Sequence, residues 1–74
     1  MDNLRLLRTK RHLSQVGLGM KTGIDQSLLS KYERGTRLPG WDDLTILADF
    51  FGTSVDYLMD RTDIENPYPP KDRK

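Results

Sequence analysis

The stretch from residue 13 to residue 40 constrains this chain more than any other part of it. Ser14 carries a hydroxyl suited to capping a helix that starts at Gln15 and runs to about Thr22. Gly23 stops that helix, because it enters the left-handed conformation without steric cost. Asp25 then caps a second helix of this pair, Gln26 to about Arg34, and Gly35 ends it. Two helices this short cannot hold themselves together in water. They must be packed against other elements, and the angle between them is set by the few residues around Gly23.

The remaining sequence supplies those elements. A first helix is expected from Asn3 to Arg11, with Asp2 as its N-cap and Leu4, Leu7 and Arg8 one turn apart. Pro39 disfavours helix at Leu38, so Leu38-Pro39-Gly40 reads as a connection. A fourth helix, Trp41 to Phe51, starts with Asp42 and Asp43 at its positive end and spaces Trp41, Leu44, Leu47, Ala48 and Phe51 helically. Gly52 ends it, and Ser54 caps a last short helix from Val55 to Met59. Leu18, Ile24, Leu29 and Tyr32 should converge on a core shared with helices one and four, and Trp41 should join it. Gly19 sits where the helices of the pair must approach closely. No alternation long enough for a strand is present. The expected architecture is all-α, a compact five-helix domain over residues 1–60, followed by an extended or disordered tail over 61–74 marked by Pro67, Pro69 and Pro70.

Seventy-four residues allow one domain with one small core. Cysteine is absent and His12 is the sole histidine, so no metal site or other cofactor is expected. No acid–base or nucleophile–base pair can be assembled, which argues against an enzyme. No apolar run approaches the roughly 18 residues needed to span a bilayer, and no signal-peptide pattern opens the chain. A cytoplasmic protein without membrane contact is the expectation. The net charge of +1 divides unevenly. Residues 1–40 carry eight basic against three acidic side chains, and residues 41–66 carry one against seven. Such asymmetry suggests a basic face for a polyanion and an acidic face turned away from it.

The basic part coincides with the helix pair. With Leu29 and Tyr32 turned inward, Gln26, Ser27, Leu28 and Lys31 fall on the outward side of the third helix. A B-form major groove admits a helix with such a face. Glutamine can pair with adenine N6 and N7, lysine can donate to guanine O6 and N7, and leucine or serine can meet a thymine methyl. Leu28 has two readings, a thymine contact or a place beside Ile24. Arg8 and Glu33 read as structural.

Residues 4–59 resemble the phage repressor/Cro-type helix-turn-helix family, also called the xenobiotic-response-element (XRE) family. The resemblance rests on Leu13-Ser14-Gln15, Gly23-Ile24-Asp25, Leu29-Ser30-Lys31-Tyr32-Glu33-Arg34-Gly35, Arg37-Leu38-Pro39, Leu47-Ala48 and Val55-Asp56-Tyr57-Leu58. It implies a lambda-repressor-like five-helix domain that acts as a homodimer on near-palindromic double-stranded DNA, as a transcriptional regulator and most simply a repressor. Carried over by motif position, Gln26, Ser27, Leu28 and Lys31 match the base-facing positions. Gln15, Arg34, Thr36 and Arg37 match phosphate-contacting ones, and Arg8 with Glu33 matches an internal salt bridge of some members. Gly17, Gly19 and Thr22 depart from the pattern, where a charged residue, alanine and leucine are frequent. Each glycine costs a helix interior roughly 0.5–1 kcal/mol relative to alanine, so the second helix should be the weakest element. Val55, Leu58, Met59 and Ile64 could serve either a dimer contact or the monomer core. Two rival functions stay open. An antitoxin would use the same DNA face and bind a toxin through the tail, and a protein-interaction module would keep the helix pair as scaffold, with the acidic stretch Asp56 to Glu65 as its surface.

Overall fold

The computed structural model describes residues 1–65. In chain order its elements are α1 (Asp2–Lys10), α2 (Gln15–Thr22), α3 (Gln26–Arg34), α4 (Trp41–Phe51) and α5 (Val55–Leu58), with no strand among the described residues. Three of the caps expected from sequence are formed. Ser14 Oγ accepts from the Gly17 amide at 2.9 Å, Asp25 Oδ1 from the Ser27 amide at 2.9 Å, and Ser54 Oγ from the Tyr57 amide at 3.0 Å. Gly23 closes α2 in the left-handed region at φ 79°.

The start of α1 differs from expectation. Asp2 lies inside the first turn, and Met1 stands at the N-cap without a side-chain hydrogen bond. The cap comes from across the fold. Asp60 Oδ2 and Oδ1 accept from the amides of Asp2 and Asn3, each at 3.0 Å. Asp60 reaches them from a left-handed backbone conformation at φ 63°, one that aspartate tolerates better than most residues. A carboxylate there also meets the positive end of the α1 dipole.

Each helix contributes one fully buried leucine: Leu4, Leu18, Leu29, Leu47 and Leu58. Around them pack Leu7, Ile24, Tyr32, Ala48, Phe51 and Tyr57. Removing any of the five leucines to alanine would cost about 2–5 kcal/mol. Leu58 therefore belongs to the core of the monomer, and Leu28 lies half-buried against that core. Trp41 does not join it, standing 69% exposed at the first residue of α4. Helical spacing gives the direction of a side chain, but not whether a second element covers it. The expected tail lies mostly outside the described residues. At its start Glu65 accepts a hydrogen bond from Lys10 Nζ at 2.8 Å through its side chain and another from the Thr53 hydroxyl through its carbonyl.

The α2–α3 contact depends on Gly19. A Cβ added there would stand 2.7 Å from the Ile24 carbonyl oxygen, inside any tolerable contact. The connection is tightened by Thr22, whose hydroxyl donates to the Leu18 carbonyl at 2.8 Å and accepts from the Ile24 amide at 3.3 Å. The polar side chain thus satisfies backbone where a leucine would have offered only apolar area.

A buried carboxylate joins α3 to α1. The Glu33 side chain is fully out of solvent. Arg8 Nε donates to its Oε2 at 2.6 Å and Arg8 Nη2 to its Oε1 at 3.0 Å. Arg5 Nε adds a longer contact at 3.5 Å, and the remaining arm of Arg8 donates to the Leu13 carbonyl at 2.8 Å. Burial by itself pushes the Glu33 carboxyl up. The hydrogen bonds from Arg8 and Gln15, the charge of Arg8 and the contact from Arg5 outweigh it and hold the group below its ordinary value.

Two stability outcomes follow from these contacts. Gly19→Ala should gain helix propensity yet lose about 1–3 kcal/mol overall in urea unfolding, because the new methyl must displace backbone. An unchanged or higher midpoint would show that the α2–α3 contact yields easily. Arg8→Ala should cost about 3 kcal/mol by stranding a buried charge. Because folding lowers the Glu33 pKa, its contribution is complete above the unfolded value and is lost as pH falls through the folded one. The wild-type urea midpoint should therefore drop more between about pH 5 and pH 3 than that of Glu33→Gln, and parallel curves would remove Glu33 as the source.

Candidate nucleic-acid interface

α3 has two unlike sides. Leu29 and Tyr32 are held in the core, and the Tyr32 hydroxyl donates to Asp43 Oδ2 at 2.6 Å. Burial, with the hydrogen bond to Asp43, pushes the Tyr32 hydroxyl up to about 12, so it stays a donor at any physiological pH. The helix is thus fixed to the first turn of α4 and cannot roll about its axis. Gln26, Ser27 and Lys31 stand exposed on its outer side.

The outer residues are not equally free to act. Ser27 turns its hydroxyl proton toward Asp25 Oδ1 at 3.1 Å, completing the helix cap, so toward a ligand it offers oxygen lone pairs. Gln26 Nε2 donates to Gln15 Oε1 at 3.1 Å, and Gln15 Nε2 donates to Glu33 Oε1 at 3.1 Å. The first residue of α2 is therefore tied both to the first residue of α3 and to the buried carboxylate. Lys31 forms no salt bridge among the described residues.

Arg34, Thr36 and Arg37 are exposed where α3 gives way to the loop. The turn is built by Gly35 at φ 76°, whose amide donates to the Tyr32 carbonyl at 3.1 Å, and by Thr36, whose amide donates to the Lys31 carbonyl at 3.0 Å. Thr36 Oγ1 also reaches the Lys31 carbonyl at 3.3 Å. Arg34 and Arg37, like Lys21, form no salt bridge among the described residues.

The other cations of the first forty residues are engaged internally. Arg5 and Arg8 face Glu33, and Lys10 faces Glu65. Arg11 donates to the carbonyls of Phe50 and Phe51 at 3.1 and 3.2 Å, with its guanidinium carbon 5.3 and 5.1 Å from their ring centroids. It closes the negative end of α4. The basic charge counted in the sequence is thereby sorted. Of the cations in residues 1–40, Lys21, Lys31, Arg34 and Arg37 are exposed and form no salt bridge among the described residues, and the last three flank the exposed side of α3.

Long-range partners account for what sequence reasoning missed here. Gln15 is one residue from a cap motif, but nothing local marks it as a neighbour of Glu33. Arg11 and Asp60 cap helices that lie 39 and 58 residues away in sequence. Their charge signs suit those helix ends, which is the only signal the sequence carried for them.

A family model described as a helix-turn-helix domain matches residues 2–60. The chain is 39% identical over 73 residues to the uncharacterized HTH-type transcriptional regulator YobD of Bacillus subtilis (strain 168), covering 99% of this chain and 63% of that protein. It is 38% identical over 61 residues to the HTH-type transcriptional regulator AnsR of the same organism, covering 82% and 53%. Against the HTH-type transcriptional activator BcrR of Enterococcus faecalis it is 29% identical over 58 residues, covering 78% and 28%. The chain spans less than two thirds of the length of each of these relatives. No solved structure matches. Among the described residues no helix is long and apolar enough to cross a membrane. The chain belongs to the XRE-type helix-turn-helix family of DNA-binding transcriptional regulators.

Proposed function

We propose that this domain binds a near-palindromic operator as a homodimer in the cytoplasm and represses transcription there. The observation that carries the reading is the two-sidedness of α3. One side is locked by Leu29 and Tyr32, and the other presents Gln26, Ser27 and Lys31 to solvent beside Arg34 and Arg37. In this reading Gln26 and Lys31 read base edges, Ser27 and the half-buried Leu28 meet the groove wall, and Gln15, Arg34, Thr36 and Arg37 hold phosphates. A helix seated in the major groove places its N-terminal residues deepest, which suits Gln26 for a base and the loop after Gly35 for the backbone.

Dimer formation is supported by apolar surface that the described residues leave exposed. Leu38 and Trp41 are each 69% exposed and only three residues apart. A second copy related by a dyad would cover such a patch and set two reading helices about 34 Å apart. Repression needs no contact beyond DNA, since occupying a promoter is enough to exclude polymerase.

Selection of sites from random duplex DNA, followed by a salt titration on the winner, tests this reading. Gln26→Ala and Lys31→Ala should each cost about 1–3 kcal/mol on the best site and relax one base position. Arg37→Ala should weaken all sequences alike and reduce the salt slope by about 0.9. An unaltered affinity and base preference for Lys31→Ala would displace the reading face from this side of α3.

A further inference from the structure

We propose that the outer face of α2 is a contact surface for a second copy of this chain bound at a neighbouring operator, so that two dimers occupy adjoining sites cooperatively. The inference rests on the reading that Leu38 and Trp41 close the dimer on each operator, and adds to it a second, separate surface.

α2 is apolar on its solvent side. Val16 is 56% exposed and Met20 82%, and the two stand one helical turn apart. The helix reaches the core through Leu18 instead. Beside the Val16–Met20 ridge runs a groove of about 430 Å³ between α2 and the start of α3, lined by Gly19 on one side and by Ile24 and Asp25 on the other. Successive residues step about 100° round a helix, so Gly19 and Lys21 lie on opposite flanks of Met20. Across the surface the order is therefore Lys21, the ridge, the groove and Asp25.

That order is self-complementary. A dyad set between ridge and groove lays each ridge in the other copy's groove and brings Lys21 of each copy to Asp25 of the other. Lys21 and Asp25 are both exposed, and neither forms a salt bridge among the described residues. Asp25 caps α3 through Oδ1, which accepts from the Ser27 amide and hydroxyl, so its Oδ2 can face outward. A surface that carries ridge and groove, cation and anion, in equal measure suits its own copy better than an unrelated partner.

The place of the surface in the fold says where that copy stands. The groove borders the first residues of α3, whereas Leu38 and Trp41 follow its last turn. In a dimer closed through Leu38 and Trp41, α3 points its C-terminal end toward the operator dyad and its N-terminal end away along the duplex. The α2 surface then faces the flanking DNA. Midway between two adjacent palindromes lies a further local dyad, which is the symmetry this surface needs. Two apolar side chains and one exposed charge of each sign per copy fall short of the roughly 1,000 Å² that a stable interface buries, so free dimers would not join through it. Operators that hold two dimers side by side raise their effective concentration enough for the contact to count.

The test uses the full chain and duplexes carrying one or two copies of the palindrome recovered by site selection, with the distance between copies changed in single base pairs. At one optimal spacing the wild type should fill the second site roughly tenfold more tightly than a lone site. About five further base pairs, half a helical turn, should abolish the gain by moving the second dimer to the opposite face of the duplex. Met20→Gln, alone or with Val16→Gln, leaves the charge near DNA unchanged and favours helix. These variants should bind a lone site as the wild type does and lose the gain. Lys21→Glu should lose it and Lys21→Arg keep it, each measured against the variant's own affinity for a lone site. If the wild type shows no cooperativity at any spacing while Trp41→Gln weakens binding to a lone site, the proposal is overturned and the dimer reading stands. Cooperativity that survives the Val16→Gln, Met20→Gln double variant also overturns it, since the contact then lies elsewhere. If Trp41→Gln leaves the lone site unchanged and the double variant halves the number of chains bound there, the α2 surface makes the operator dimer itself, and both readings fall.

Discussion

The Glu33 carboxylate is a charge with no access to water, and the arrangement of the first three helices answers to it. A buried carboxylate is tolerable only if donors surround it. Here they come from Arg8 and Arg5 on α1 and from Gln15 at the start of α2. Arg8 extends the tie to the Leu13 carbonyl in the connection between those helices. The leucine core supplies most of the apolar burial, but apolar contacts alone leave helices free to slide and roll by small amounts. Directional hydrogen bonds to one fixed point do not. The angle between α2 and α3, the quantity a helix-turn-helix needs to control, is set from below by the carboxylate and from the side by the Gly19–Ile24 contact.

The same requirement sorts the charges. A net charge near zero conceals a division between cations used to hold the fold and cations left exposed. Arg8 and Arg11 serve the interior and a helix end, whereas Lys21, Lys31, Arg34 and Arg37 remain outward. For a polyanion the second group is what counts, because affinity follows the charges that can reach phosphates. A basic residue count along a sequence cannot make that distinction, since it turns on which carboxylates and carbonyls the fold brings near.

Local signals were legible in the sequence and distant ones were not. Ser14, Asp25 and Ser54 each cap a helix beginning one residue later, so the evidence and its consequence lie within a few positions. Leu18, Ile24, Leu29 and Tyr32 were readable for a similar reason, as periodicity chooses the inward face. Asp2 was misplaced as a cap because the true acceptor, Asp60, arrives from beyond α5. Trp41 follows the apolar spacing of α4, yet no other helix among the described residues buries it. The outward residues of α3 could be named from the pattern, but the chain of hydrogen bonds behind Gln26 depends on three residues spread over nineteen positions, which only the folded geometry brings together.

That geometry also resolves how a weak helix can carry a firm contact. α2 contains Gly17 and Gly19 and is eight residues long, so its intrinsic stability is low. Were Gln15 held by helix propensity alone, fraying would leave it poorly placed. Instead the Ser14 hydroxyl caps the Gly17 amide, and Glu33 and Gln26 fix the Gln15 side chain at both ends. The position of Gln15 is thereby coupled to α3 and α1 rather than to the helix that bears it. Gly19 belongs to the same logic, for the residue that lowers the helical propensity of α2 is the one that lets it approach α3 closely enough for these hydrogen bonds to form. Local stability is given up where tertiary contact replaces it, and the side chain at the exposed end of α2 inherits the rigidity of the core.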